Sequence, residues 1–333
     1  MDWFERITGF RETSYDETRS KLSVVDGRLL STHSHRTCAV GELETPALAE
    51  LRQRAEELIT GQGSTTVTCL RGDVRQMHRD SRNAGAVFQV ASQFNLLEMV
   101  GPSVTPEHGV TRYETDATQG PACAIAAGAG TIYRNYFAPV QGLIGQRHDR
   151  QIDCLQDVGA LLGNADDSLW QMRNGYCLVT DEGLARIDAR LSSLDVEEHR
   201  ELAGRLRIGW HANVEVTDQG AGHLVNQAYC SALPVAYNRV RQRTHWARFA
   251  ELVLEAAYEA TLLSAAFHRT QGVRPVVYLT RLGGGAFGND SQWITSAIRR
   301  ALQVCRDAAL DVRLVSYGDP ELAQIRLAAE FPG

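Results

Sequence analysis

Three acidic residues, Glu98, Glu114 and Asp116, and a run of glycines at 283–289 are the parts of this sequence best suited to chemistry. A carboxyl group held beside a reacting centre can give up a proton, activate water or stabilise a developing positive charge. Glu98 follows Asn95 by three residues, so a tight turn there would face both toward one site. Glu114 and Asp116 are separated by one residue and point to the same side of an extended segment. Residues 276–290 supply a complementary function. An apolar strand runs into Gly283, Gly284, Gly285, Ala286, Phe287, Gly288 and Asn289, and a helix is expected from about Ser291. Glycines permit positive φ and close backbone approach, and a helix start aims free N–H groups outward, so the stretch suits a phosphate or diphosphate.

The elements that must position these groups alternate between strand and helix. Pro46 opens a helix expected over 47–59, with Leu48, Leu51, Ala55, Leu58 and Ile59 on one face. Strands are expected at 65–70 and 85–92, a close-packed helix at 121–136, an amphipathic helix at about 182–194, and strands at 206–217 and 224–233. A long helix at 245–270, a strand at 275–281, a helix at 292–309 and a strand at 311–316 complete the chain. This alternation predicts an α/β fold with three α/β/α layers and a mixed, mostly parallel sheet, in which ligands sit beyond the carboxyl ends of strands. Residues 1–63 read as an N-terminal helical extension, 64–333 as the α/β domain, and 140–218 as an insertion within it.

Three strand ends carry the polar and glycine residues: Gly72-Asp73, Gln93-Phe94-Asn95 and Gly283–Asn289. With the acidic loop that runs into Gln119-Gly120-Pro121, this order resembles the macro domain, the ADP-ribose-binding module whose relatives include poly(ADP-ribose) glycohydrolases. The resemblance spans roughly 64–137 and 223–317 and carries the following implications. Asp73, with Val74 beside it, would meet the adenine amino group; Asn95 would lie near the distal ribose. The loop 282–289 would wrap the diphosphate with Phe287 beside that ribose, and Gln119 and Gly120 would complete the ligand contacts. In such a site Glu98, Glu114 and Asp116 would serve cleavage at the ribose anomeric carbon, whose oxocarbenium-like state needs a nearby carboxyl group. The first Asn of the family signature, its Gly-Gly-Gly stretch and the glycohydrolase Gln-Glu-Glu triplet are absent; Leu96-Leu97-Glu98 and a loop over 101–121 stand there instead. Two functions follow as expectations: a hydrolase of the ribosyl bond in an ADP-ribose conjugate or NAD-derived metabolite, or a non-catalytic ADP-ribose or nucleotide-binding module. An unrelated nucleotide or sugar-phosphate enzyme with a similar glycine loop is a third.

The remaining reactive residues read as packing. Cys123 sits near a helix start without a His partner in sequence, the pairs His33/His35 and His211/His223 lack a matching ligand pattern for a metal, and Trp210 and Trp246 suit a core. No cofactor or metal is called for. The 333 residues are 44% hydrophobic and 22% charged with a net charge of −6. No apolar run reaches the roughly 20 residues of a membrane span. Basic residues are dispersed apart from Arg239, Arg241 and Arg243, so a nucleic-acid partner is not expected, and the partner is ADP-ribose or an ADP-ribosylated small molecule or protein. Seven scattered cysteines and a start without an apolar leader suggest reduced thiols and a cytoplasmic protein.

Overall fold

Apolar runs that are buried on both faces need cover on both faces, and in this chain helices supply it. The computed structural model describes residues 1–56, 61–240, 243–269, 272 and 275–333. Its central sheet has seven strands among the described residues: β1 (Glu42–Glu44), β2 (Thr66–Arg71), β3 (Val87–Ala91), β4 (Gly209–Glu215), β5 (Leu224–Cys230), β6 (Val276–Leu279) and β7 (Asp311–Ser316). Their spatial order is β1-β4-β5-β3-β6-β7-β2. The five from β5 to β2 run parallel, while β4 pairs antiparallel with both β5 and β1. All five parallel strands therefore open their carboxyl ends along one edge.

Adjacent residues of β3 show the layers directly, because successive side chains leave a strand on opposite faces. Phe88 stacks on His78, 3.7 Å between ring centroids, from helix α1 (Val74–Arg79). Gln89 points the other way, and its amide donates to the Thr261 hydroxyl (3.1 Å) of the 24-residue helix α2 (Trp246–Arg269). The three-layer α/β/α arrangement with a mixed, mostly parallel sheet is thus as expected from sequence. The helix Leu48–Ala55 and the helix α3 (Ser291–Val304) both pack against α2. Leu58, Ile59, Arg241 and Thr270, which figure in the sequence expectations, lie outside the described residues.

Three segments differ from the sequence reading. The expected helix over 121–136 is two helices, Gln119–Ala126 and Gly128–Tyr136, divided at Ala127 (φ −111°, ψ 58°). The break is stitched to Thr217, whose N–H donates to the Ala126 carbonyl (3.0 Å) and whose hydroxyl accepts from Gly128 N–H (2.9 Å). Gly128 must be small there, since a Cβ would stand 2.5 Å from Ile7 Cδ1. The N-terminal 63 residues hold short helices at Trp3–Thr8 and Tyr15–Ser20, but also a three-stranded antiparallel sheet over 22–39 and strand β1 of the central sheet. Likewise 140–218 contributes β4 to the central sheet, in addition to the hairpin Trp170–Arg173/Tyr176–Val179.

Candidate active site

The carboxyl ends of β3 and β6 meet the start of the helix Gln119–Ala126 around a cavity of about 150 Å³. Its walls include Ala91 at the end of β3 with Ser92 and Gln93, Glu98–Val100, Asp116, Thr118–Pro121, Tyr176, Tyr237 and the loop after β6.

Glu98 is the chemically distinctive residue. It is 2% exposed, and neither carboxyl oxygen has a hydrogen-bond partner among the described residues. The nearest cation is the wholly buried Arg134, 3.9 Å away. Burial outweighs that attraction and the opposing influence of the Tyr113 hydroxyl, and pushes the carboxyl up to about 8, with the neighbouring Asp116 adding to the rise. Glu98 therefore keeps its proton at neutral pH. Arg134 is itself engaged elsewhere, donating to the Leu96 carbonyl (3.0 Å) and Thr131 hydroxyl (3.0 Å) and lying 3.7 Å from the Tyr229 ring centroid.

Asp116 stands at the cavity wall, where its carboxyl accepts from Thr118 N–H at 2.9 Å. Glu114 is exposed on the turn Thr111–Thr115 and does not line the cavity. Of the three acidic candidates, the fold thus brings two together.

The glycine loop divides its labour. Gly283 and Gly288 have positive φ (73° and 71°). The N–H groups of Gly284, Gly288 and Asn289 close the loop on itself by donating to the carbonyls of Arg281, Gly285 and Gly283. The Asn289 amide ties it to the Leu233 carbonyl (2.8 Å). The N–H groups of Gly283, Gly285, Ala286 and Phe287 donate to no acceptor among the described residues, and these four residues line the cavity. They leave four backbone donors free on one wall of the cavity, an arrangement able to take an anion. The start of α3 does not add to it: Asp290 caps that helix by accepting from Gln292 N–H at 2.7 Å, and its first turn is outside the cavity lining. A second helix start does face the cavity. The helix Gln119–Ala126 has no side-chain cap, its third residue is Pro121, and the N–H groups of Gln119 and Gly120 have no partner among the described residues.

Gln119 and Gly120 also fix that helix against β3. The Gln119 side chain accepts from Ala91 N–H (2.9 Å) and donates to the Gln89 carbonyl (2.8 Å). A Cβ on Gly120 would stand 2.0 Å from the Ala91 carbonyl oxygen. Cys123, one turn on, is buried, and burial pushes its thiol well above the usual range.

Asp73, Val74 and Asn95 lie outside this cavity. Asp73 caps α1 through Arg75 N–H (2.8 Å) and lines a separate depression with Gln76, Tyr278 and Arg313, while Val74 is buried in the core. Asn95 is wholly buried; its amide donates to Gln151 (2.8 Å) and its oxygen accepts from Leu97 N–H (3.1 Å). Its role is to shape the turn that carries Glu98, because the hairpin turn at Gly175 packs over it and closes it from ligand. His211 is buried beside Arg134 and held neutral, and Trp210 and Trp246 are core residues.

Sequence reasoning missed Tyr176 and Tyr237. With Phe287 they form an aromatic wall, with ring centroids 5.1–5.6 Å apart. The dipeptide Asn174-Gly175, of a type common in tight hairpin turns, is the local pointer to the hairpin that brings Tyr176 in. Nothing local marks Tyr237, Tyr113 or Arg134.

The fold and site together define a three-layer α/β protein with a cleft at the carboxyl edge of its sheet, walled by free backbone N–H groups and a buried carboxyl. No protein-family model matches the chain, and no curated protein matches its sequence. Among solved structures it is similar to poly(ADP-ribose) glycohydrolase from Deinococcus radiodurans in complex with ADP-ribose, at 12% identity and a TM-score of 0.47 over 97% of each chain. It is also similar to poly(ADP-ribose) glycohydrolase from Thermomonospora curvata, at 14% identity and a TM-score of 0.45 over 95% of this chain and 96% of that one.

Proposed function

We propose that this protein is a hydrolase of the ribosyl glycosidic bond in an ADP-ribose conjugate or NAD-derived metabolite. The observation that carries the reading is Glu98: a buried carboxyl with two unpartnered oxygens on the wall of a cavity whose other side offers unpaired backbone N–H groups. Stability alone gives no account of such a group, since a buried polar atom without a partner is costly. Catalysis does. In this reading the free N–H groups of Gly283, Gly285, Ala286 and Phe287 take the diphosphate, and the resemblance of 64–137 and 223–317 to the macro domain supplies ADP-ribose as the ligand. Bound so, the distal ribose lies toward Glu98. As the bond from the anomeric carbon to the leaving oxygen breaks, Glu98 transfers its proton to that oxygen, and water adds to the carbon with Asp116 positioned to take up the water's proton. Glu114 has no part in this scheme.

The absence of the glycohydrolase Gln-Glu-Glu triplet favours a second reading, a module that binds ADP-ribose without turning it over. Calorimetric titration with ADP-ribose, followed by mass spectrometry of products from NAD and from ADP-ribosylated peptides, separates the two. Turnover abolished in Glu98→Gln supports the hydrolase. Binding without turnover leaves the module, and no binding rejects both.

A further inference from the structure

Glu98 sits on a turn that needs external support. Leu96 within it adopts positive φ (64°), uncommon for a side chain of that kind. Gln93, Asn95 and Arg134 brace the residues before it, and the Gln93 side chain accepts from Met99 N–H (2.8 Å) behind it. The N–H of Glu98 itself donates to the hydroxyl of Tyr113 (3.0 Å), a residue wholly buried on the turn Thr111–Thr115.

That turn is in turn held by the N-terminal segment. The Glu12 carboxyl accepts from Val110 N–H (2.9 Å), Thr111 N–H (2.7 Å) and the Tyr136 hydroxyl (2.7 Å). The Trp3 indole donates to the Thr111 carbonyl (3.2 Å). Gly109 has φ 77°, and a Cβ there would stand 2.4 Å from the Glu12 carboxyl, so the chain is shaped around it. The wall so anchored continues to Asp116, whose N–H donates to the Tyr113 carbonyl (3.1 Å), and on to the uncapped helix start at Gln119. One carboxyl, 98 residues before Val110 in sequence, thus holds the strip that presents Asp116 and fixes Glu98.

We infer that Glu12 is a positioning residue for the glycosidic reaction, acting through the 109–113 turn and the Tyr113 hydroxyl on Glu98, so that residues 1–12 belong to the catalytic unit. The inference rests on the reading of Glu98 as the proton donor. Small displacements of a catalytic group lower turnover more than binding, since the cradle that grips the diphosphate belongs to a different loop.

The test uses full-length protein with Glu12→Gln and Tyr113→Phe, singly and together, and Arg11→Ala as a neighbouring control on an exposed side chain. Amide hydrogen exchange over 93–100 needs no substrate, and is expected to accelerate about tenfold in both single variants but not in the control. With an ADP-ribosylated peptide, kcat is expected to fall about tenfold while the Kd for ADP-ribose stays within about twofold. The double variant should be little worse than the poorer single one, because both act along one path. Arg134, Asp116, Tyr113, Cys123 and Tyr229 face Glu98, so loosening the wall admits water among them and moves the alkaline limb of the kcat profile to lower pH. Unchanged exchange over 93–100, or losses in kcat that are additive and leave the pH profile in place, overturns the inference and makes Glu12 a fold contact only. Exchange decides the mechanical link by itself; a wild-type protein that binds ADP-ribose without turnover overturns the catalytic part together with the functional reading.

Discussion

At the scale of single residues, Glu98 couples function to stability with a definite sign. Its folded-state pKa of about 8 lies above the ordinary carboxyl value, so the folded protein holds a proton that the unfolded chain releases. Its contribution to stability is fully present below about pH 4.3 and is lost as pH rises to about 8. Glu98→Gln keeps the shape without the charge. Its melting temperature relative to wild type should rise between about pH 5 and about pH 8 and level off above, in a calorimetric pH series. The same variant should lose about 10²- to 10⁴-fold in kcat, the usual contribution of a general acid, while still binding ADP-ribose. A variant that melts earlier at every pH would show the carboxyl to be a structural partner of Arg134 instead.

At the scale of elements, the glycine loop separates grip from shape. Gly285 has nothing within 4 Å of its would-be Cβ, and its N–H is one of the free ones. Gly285→Val should therefore weaken ADP-ribose binding about tenfold, or about 1.4 kcal/mol, by calorimetry, with melting little changed. Gly283 is different. With φ 73° and a Cβ that would stand 2.4 Å from Ala232 Cβ, Gly283→Ala should cost about 2 kcal/mol of folding stability in urea denaturation. Gly284→Val falls between: its N–H is already bound to Arg281, and its Cβ would press on Ile294. Tyr176 shows why the hairpin of 170–179 matters at this scale, since its hydroxyl donates to the Met99 carbonyl (2.6 Å) and ties the hairpin to the segment following Glu98.

At the scale of the whole molecule, the N-terminal residues are woven into the domain. Besides β1 and the Glu12 contacts, Arg52 makes a two-point ion pair with Glu259 of α2, at 2.6 and 2.9 Å. Glu259 is 4% exposed, so Glu259→Ala strands a largely buried guanidinium. The expected loss is about 3 kcal/mol in urea unfolding, with one transition and an unchanged slope. Two separate transitions would instead mean that the N-terminal residues unfold as a unit of their own.

How much of this was legible in sequence varies with the range of the forces involved. The apolar runs of β3, β6 and β7 and the glycines after β6 are local signals, because strand burial and positive φ are written in the residues that experience them, and they led to an α/β fold with a glycine turn at a strand end. The pairing of Glu98 with Asp116, the sealing of Asn95 under the Gly175 turn and the capping of α3 by its own Asp290 are not local. Each depends on which side of a turn faces which neighbour. Glu98 and Glu114 look alike in sequence; burial beside Arg134 made one a protonated acid, and exposure left the other at the surface. Sequence by itself determined the layers and the glycine turn after β6, since both follow from backbone chemistry within a few residues. Only the tertiary structure decided which carboxyl is desolvated, because desolvation is a property of everything packed around a group and not of the group's own stretch of chain.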